Sequence, residues 1–183
     1  AFVLPVIQLA RAAAATTPLP ASTGDLDRPA LVLFTSGTTG HPKGVVLSFR
    51  ALLNRIALNK TAMGPASRVR ALVTLPTSFG HGLIGNALTP LLSGGDIVLH
   101  PLGLPLAQNV GKIIDRYRIG FLSSVPTFWR MVLKFSKPPV ENILARVHVG
   151  SAPLSADLWS AIADWSRADV VNCYGVPELA NWV

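Results

Sequence analysis

Short apolar runs alternate with amphipathic helical stretches along most of this chain, and that alternation limits the fold more than any other feature. The second half is the most regular. Residues 96–99 read as a strand, and Leu106, Val110, Ile113, Ile114 and Tyr117 then recur at helical spacing. Residues 120–125 form the next apolar run, and Pro126 suits the first turn of a following helix. Ala145, Val147 and Val149 alternate with Arg146 and His148 at the period of a strand. Ser155 is placed to cap a helix carrying Leu158, Ala161, Ile162 and Trp165, and 169–174 is a last strand.

In the first half, 30–35 reads as a buried strand, 45–47 as a short strand and 69–75 as another. Ser48 precedes a helix whose apolar face is Phe49, Leu52, Leu53, Ile56 and Ala57; a second helix spans 81–92. Strands alternating with helices predict an α/β fold, with a parallel-rich sheet and flanking helices. Ligands of such sheets sit beyond the carboxyl ends of the strands. Small and polar residues gather at those ends here: Thr35-Ser36-Gly37, Pro76-Thr77-Ser78, Ser123-Ser124, Gly150-Ser151-Ala152-Pro153 and Tyr174-Gly175.

A chain of 183 residues has one domain as its default. Residues 1–29, with an Ala/Thr/Pro/Ser-rich stretch from 11, read as a linker or partial upstream element, and 30–183 as the folded part. The apolar opening 1–10, broken by Pro5, is expected to be a buried strand or loop and is too short for a membrane span. The single cysteine, Cys173, forbids an internal disulfide and fits a reducing, cytoplasmic compartment. The net charge of +7 comes from scattered Lys and Arg, among them Arg50, Arg55, Arg116 and Arg118, without a basic stripe. That pattern argues against nucleic-acid binding and suits solvated charge or attraction of an anionic ligand.

The strongest local signal is TSGTTGHPKG, residues 35–44. Glycines let backbone amides turn toward an anion, Ser36, Thr38 and Thr39 add hydroxyls, and Lys43 adds a point charge suited to phosphate. The common triphosphatase loop ends in Gly-Lys-Ser/Thr and opens a helix; here Gly44 follows Lys43 and a strand is expected next. The stretch resembles the signature loop of the adenylate-forming superfamily, which comprises acyl-CoA synthetases, peptide-synthetase adenylation domains and luciferases. The resemblance covers about residue 27 to the end. It implies a partial N-terminal domain of the adenylate-forming ligase fold and a reaction in which a carboxylate attacks the α-phosphate of ATP. The products are an acyl-adenylate and pyrophosphate. It assigns Thr35, Ser36, Gly37, Thr38, Thr39, Gly40 and Lys43 to phosphate binding, with Lys43 also a catalytic candidate.

Asn172-Cys173-Tyr174-Gly175-Val176-Pro177-Glu178 resembles the family pattern N-x-Y-G-x-T-E. By that resemblance Asn172 meets the adenine amino group, Tyr174 lies against the ring beside Gly175, and Glu178 is the magnesium ligand and second catalytic candidate. One magnesium carboxylate is chemically sensible, because Mg²⁺ takes most of its ligands from phosphate and water. Pro177 stands where the family has a threonine and offers neither hydroxyl nor N–H, which removes one contact to the nucleotide. Gly150, Ser151, Ala152 and Pro153 resemble the segment that walls the adenine pocket.

Residues 75–82, LPTSFGHG, resemble the family's acid-side segment. Gly80 occupies the place where amino-acid-activating relatives carry an aspartate, which argues for a fatty or other non-amino acid, since a buried ammonium needs a counter-charge. Phe79, His81, Val125 and Val176 are the candidate pocket lining. His81 is open to two readings: a functional donor near the acyl or pantetheine path, or a half-exposed residue at a helix start. His41, His100 and His148 have no metal-site spacing, and the four tryptophans read as packing residues. Ser22-Thr23-Gly24-Asp25 spells the family's ribose motif upstream of the phosphate loop, the wrong side, and is taken as coincidence with Asp25 on the surface.

The implied whole is an AMP-forming acid–thiol ligase using ATP and Mg²⁺, with coenzyme A as acceptor. The alternatives are carrier-protein phosphopantetheine as acceptor, or a non-catalytic nucleotide-binding fragment, for which Pro177 is the best support. The chain is expected to be an internal piece lacking the small C-terminal catalytic domain and its lysine, and so inactive alone.

Overall fold

The structure, a computed structural model, describes residues 24–35 and 42–182, with the side chains of residues 67, 68, 181 and 182 left aside. The expectation for residues 1–10 therefore lies outside the described residues, as do most of the linker and Ser36, Gly37, Thr38, Thr39, Gly40 and His41.

Five parallel strands make the main sheet: β3 (Ala71–Val73), β4 (Ile97–Leu99), β5 (Phe121–Ser124), β6 (Arg146–Gly150) and β7 (Asp169–Cys173), in the order β4-β3-β5-β6-β7. β3 pairs with β4 on one side and β5 on the other, so the strand order reverses between β3 and β5. A sheet that reverses in this way leaves a crevice beyond the carboxyl ends of the two strands.

Both faces of the sheet are covered, which is why its strands read as continuous apolar runs. On one face Leu72, Leu122, Val147, Val149 and Val170 pack under three helices, α3 (Leu104–Tyr117), α4 (Pro126–Phe135) and α5 (Ala156–Ser166). Trp129 is fully buried there, with Trp165 edge-on at 5.7 Å. The opposite face carries Ala71, Phe121 and Cys173 beneath Met63. His148, expected on an alternating strand face, is buried on this side with its ring edge-on to Phe121 at 5.1 Å. The helix ends follow the sequence closely: Ser155 Oγ accepts from the Leu158 N–H at 3.3 Å, and Pro126 opens α4.

The first half departs from the expected parallel arrangement. β1 (Pro29–Thr35) and β2 (Lys43–Ser48) form a separate antiparallel hairpin. The expectation of a buried strand at 30–35 is corrected, because only one face of the ribbon is covered. Leu33 and Leu47 are buried, whereas Val32 and Val46, paired across the strands, and Phe34 face outward. The inner face packs on α1 (Phe49–Met63), on Ile84 and on Ala180. Ser48 caps α1 as its sequence suggests, accepting from the Ala51 N–H at 3.2 Å.

The inward stripe of α1 is Leu52, Ile56, Asn59 and Met63, and Phe49, Leu53 and Ala57 point to solvent. A polar residue takes a core position there because Asn59 Nδ2 donates to the buried Thr89 Oγ1 at 3.1 Å. Asp25 is exposed, as expected. Arg50 grips Asp27, Arg118 pairs with Glu141, and Arg146 pairs with Asp169, so these cations are locally neutralised.

β3 is shorter than the sequence suggests because the ladder ends at Val73. The Thr74 N–H turns instead to Asn86 Oδ1 at 3.2 Å, and Thr74 Oγ1 donates to the Ser123 carbonyl at 2.6 Å. Asn86 lies on a wide helical segment, His81–Leu88, with π-type geometry that continues into α2 (Thr89–Leu92). Such segments are rare and concentrate at functional sites. Its second residue must be glycine: a Cβ on Gly82 would stand 1.9 Å from the Pro76 carbonyl oxygen.

Gly82→Ala is therefore expected to lose at least ~2 kcal/mol in urea unfolding, while Gly80→Ala, which meets only the flexible end of Leu33, loses less than ~1 kcal/mol. Equal unfolding midpoints for the two variants would contradict this packing.

Candidate nucleotide and acid site

The carboxyl ends of β6 and β7, the start of the π-segment and the end of β1 converge on one cavity of about 390 Å³. Its lining includes Phe34 and Thr35 from the hairpin, Ser78, Phe79, Gly80 and His81 before and at the π-segment, and Gly150 and Ser151 after β6. Cys173, Gly175, Val176 and Pro177 close it from the β7 side. Four stretches far apart in sequence thus share one hollow, and none of these lining residues carries a formal charge at neutral pH.

The hairpin places two of the phosphate-loop candidates: Thr35 and Lys43 are directly paired across β1 and β2. Thr35 lines the cavity, and Lys43 is exposed at the start of β2. Ser36, Gly37, Thr38, Thr39 and Gly40 are outside the described residues.

The β7 side is built from a strand that stops and turns. Gly175–Val176 (β8) pairs antiparallel with Asn181–Trp182 (β9), with a short 3₁₀ turn over Pro177–Leu179 between them. Proline suits the first position of that turn, where its missing N–H costs nothing. The turn is tied to α1 by Arg55, whose Nε donates to the Leu179 carbonyl at 2.8 Å. Tyr174 is 72% exposed, and Asn172 and Glu178 are exposed as well; none of the three lines the cavity itself. Ala152 and Pro153 are also exposed and outside its lining. Val125, expected in the acid pocket, stands at the cap of α4 and packs against the main core instead.

Gly150 permits close packing of β6 on β7, because a Cβ there would lie 2.7 Å from the Cys173 carbonyl oxygen. Ser151 follows with φ of 65°, a left-handed conformation unusual for a residue with a side chain. Strain of this kind collects at ligand sites.

His81 departs from the second reading of its sequence position: it is not half exposed, and the buried ring lies at the cavity wall with Nδ1 2.8 Å from Ser151 Oγ and Nε2 2.7 Å from Ser123 Oγ. Phe79 meets it edge-on at 6.3 Å. Burial pushes His81 down to about 4. The same cause, with the nearby charges of Arg146 and His81, pushes His148 down to about 3. Burial pushes the Cys173 thiol up to about 12, which makes it inert as a nucleophile at neutral pH. Ser123 was visible in the sequence only as a small polar strand end, without a hint of its bond to His81.

Comparison with known proteins agrees with this geometry. The family model described as AMP-binding enzyme matches residues 4–183. The chain belongs to the AMP-binding enzyme family. Relatives within it include the sulfoacetate–CoA ligase of Cupriavidus necator, 42% identical over 68% of this chain and 23% of that protein. A putative acyl-coenzyme A synthetase of Emericella nidulans is 32% identical over 83% of this chain and 29% of its own length. A dimodular nonribosomal peptide synthase of Bacillus subtilis is 29% identical over 86% of the chain and 6% of its own. The chain thus spans less than a third of each of these relatives.

Among solved structures, the o-succinylbenzoate coenzyme A synthetase of Bacillus subtilis in complex with ATP and magnesium ion shares the fold, with a TM-score of 0.73, 24% identity, and coverage of 86% of this chain and 32% of that one. The N-terminal subdomain of Klebsiella oxytoca NpsA, in complex with 3-hydroxyanthranilyl-AMSN, gives a TM-score of 0.71 at 26% identity, covering 86% and 40%. The family fold is thus that of adenylate-forming ligase N-terminal domains. No described helix is long and apolar enough to cross a membrane.

The buried histidines make stability depend on pH with a definite sign. In the unfolded chain each takes a proton as pH falls through its ordinary value of 6.5, whereas in the fold His81 stays neutral to about 4 and His148 to about 3. Stability present above 6.5 is therefore lost as pH falls toward 4, each histidine steepening the decline by up to ~1.4 kcal/mol per unit. Urea midpoints measured between about pH 7 and about pH 5 should fall accordingly. A flat profile in that window would contradict neutral, buried rings.

Proposed function

We propose that this chain forms the nucleotide- and acid-binding part of an AMP-forming acid–thiol ligase. One observation carries the reading: the end of the β1–β2 hairpin, the Gly150–Ser151 turn and the Gly175–Pro177 segment line one cavity at the carboxyl edge of the sheet. In that reading the triphosphate lies toward the hairpin turn, where Thr35, Ser36, Gly37, Thr38, Thr39, Gly40 and Lys43 supply hydroxyls, amides and one cation. The purine lies between the 150–153 wall and the exposed ring of Tyr174, beside Asn172 and Gly175. The carboxylate of the acid is then held near the α-phosphate, and positioning of these two partners is the main contribution of this part of the protein.

The donor set fits magnesium only when the ion arrives with its nucleotide. Among the described residues no group of three or more His, Cys, Asp or Glu side chains is placed to hold a metal. Glu178 offers a single exposed carboxylate at the turn. Mg²⁺ is satisfied by one or two carboxylates plus phosphate oxygens and water, and when bound it neutralises charge on the phosphates.

The uncharged lining bears on the acid. Gly80 is on the cavity wall and no carboxylate stands among the lining residues, so a substrate ammonium would be buried without a partner. That favours a fatty or other non-amino acid, with Phe79, His81 and Val176 on its side of the cavity. Coenzyme A is the acceptor this reading favours. A carrier-protein thiol is the alternative, suggested by the peptide-synthase relatives. Pro177 lines the cavity and offers no hydroxyl, which gives the non-catalytic nucleotide-binding reading its one specific observation.

Calorimetry with ATP, with and without Mg²⁺, tests the proposal. The chain is expected to bind ATP more tightly with Mg²⁺, and Glu178→Gln to remove about tenfold of that gain, ~1.4 kcal/mol. Pro177→Thr, which restores a hydroxyl at the cavity wall, should tighten ATP by a factor of about three. Absence of ATP binding in the wild type would overturn the reading, and pyrophosphate exchange by this chain alone at a useful rate would refute its dependence on further parts.

A further inference from the structure

Ser123, His81 and Ser151 form a line of polar groups running from the middle of the sheet to the cavity. The Ser123 hydroxyl is fully buried at the end of β5, 2.7 Å from His81 Nε2. The other ring nitrogen, Nδ1, lies 2.8 Å from Ser151 Oγ, and Ser151 is exposed on the cavity wall. The backbone at His81 is held as well: its carbonyl accepts from Asn86 Nδ2 at 3.4 Å and the following Gly82 packs against Pro76, while Phe79 meets the ring edge-on.

The direction of these bonds follows from proton counting. A serine hydroxyl has one proton to donate, and a buried donor without an acceptor is costly. Among the described residues, the hydrogen-bond partner of the Ser123 hydroxyl is His81 Nε2, and the imidazole tautomer decides which of the two donates. If Ser123 donates there, the single proton of the neutral imidazole sits on Nδ1 and is donated to Ser151 Oγ. The Ser151 oxygen has then accepted from the protein side, and its own proton is free to point away from the ring. The opposite tautomer strands the buried Ser123 proton and turns the Ser151 hydroxyl inward. The left-handed backbone at Ser151, φ 65°, holds the side chain at this place between ring and cavity.

We propose that Ser151 is a specificity-determining hydrogen-bond donor into the cavity, and that His81, backed by Ser123, is the positioning residue that keeps it a donor. The relay selects a ligand presenting an acceptor atom at the Gly150–Ser151 wall. It rests on the nucleotide-and-acid reading of the cavity for the source of that atom: a nitrogen or oxygen of the nucleotide, or a carboxylate oxygen of the acid. No proton is transferred through the relay, and His81 stays neutral throughout.

The first test needs no ligand. Nitrogen-15 NMR of the histidine side chains should show His81 as one neutral tautomer protonated on Nδ1. Ser123→Ala should admit the Nε2-protonated form, and Ser123→Thr, which keeps the hydroxyl, should restore the wild-type signal. A wild-type ring protonated on Nε2, or an even mixture, would overturn the proposal. The second test is calorimetric, with AMP and hexanoate titrated separately. Ser151→Ala should weaken one of them about fivefold to tenfold, and Ser123→Ala about threefold with recovery in Ser123→Thr. Loss confined to AMP assigns the acceptor to the nucleotide, and loss confined to hexanoate assigns it to the acid. Unchanged binding of both in Ser151→Ala would overturn the donor role. Failure of the wild type to bind either probe would sink the reading of the cavity instead, and the tautomer would still decide the relay.

Discussion

The reversal of strand order between β3 and β5 is the constraint on which the rest of the molecule depends. At that point the Thr74 hydroxyl donates to the Ser123 carbonyl, and the Thr74 amide turns away from the ladder to Asn86. These two bonds latch the ends of the diverging strands and fix the start of the π-segment above them. The segment in turn sets His81 over Ser123 and presents Ile84 to the hairpin core. The cavity opens beside the start of this segment, which Gly82 brings close to Pro76, and between the end of β1 and the ends of β6 and β7.

Two cores of different size support this arrangement. The larger lies under α3, α4 and α5 and makes the sheet rigid. The smaller joins the hairpin, α1, the π-segment and the turn near Ala180. The hairpin strands are thus not part of the main sheet; they pack on this smaller core, whose α1 is tied to α2 by Asn59 and Thr89 and to the 177–179 turn by Arg55 and Leu179. In the proposed reading, the strands that flank the phosphate-loop candidate rest on the smaller core, where local stability follows the lighter packing.

The second half of the fold was legible because its strands are buried on both faces and its helices carry clear caps, as at Ser155 and Pro126. The hairpin was not, because an apolar run such as 30–35 looks alike in a buried parallel strand and in a ribbon covered on one side. Pairing partners are long-range facts that periodicity does not encode. The α1 face was misread for a related reason: Asn59 belongs to the core only through its bond to Thr89, thirty residues away. At the site, small and polar strand ends were expected from chemistry alone; Gly150, Ser151 and Gly175 share one cavity because parallel strands end there, and Thr35 reaches it from the hairpin. Val125 was misplaced because a strand-end position does not reveal which way the next helix turns the side chain. The His81–Ser123 bond had no signature, since a serine in a strand is an ordinary residue until its neighbour is known.

Membership of the AMP-binding enzyme family and the shared cavity are consistent at every level, from glycine-rich turns to strand ends to the sheet's switch point. Chemical-shift mapping of the amide-labelled chain titrated with AMP tests their union most directly. The expected result is a single contiguous set of shifted amides at Thr35, Gly150, Ser151, Gly175 and Val176. Shifts gathered elsewhere, such as around Leu99 and Leu102 at the far edge of the sheet, or none at saturating AMP, would contradict it.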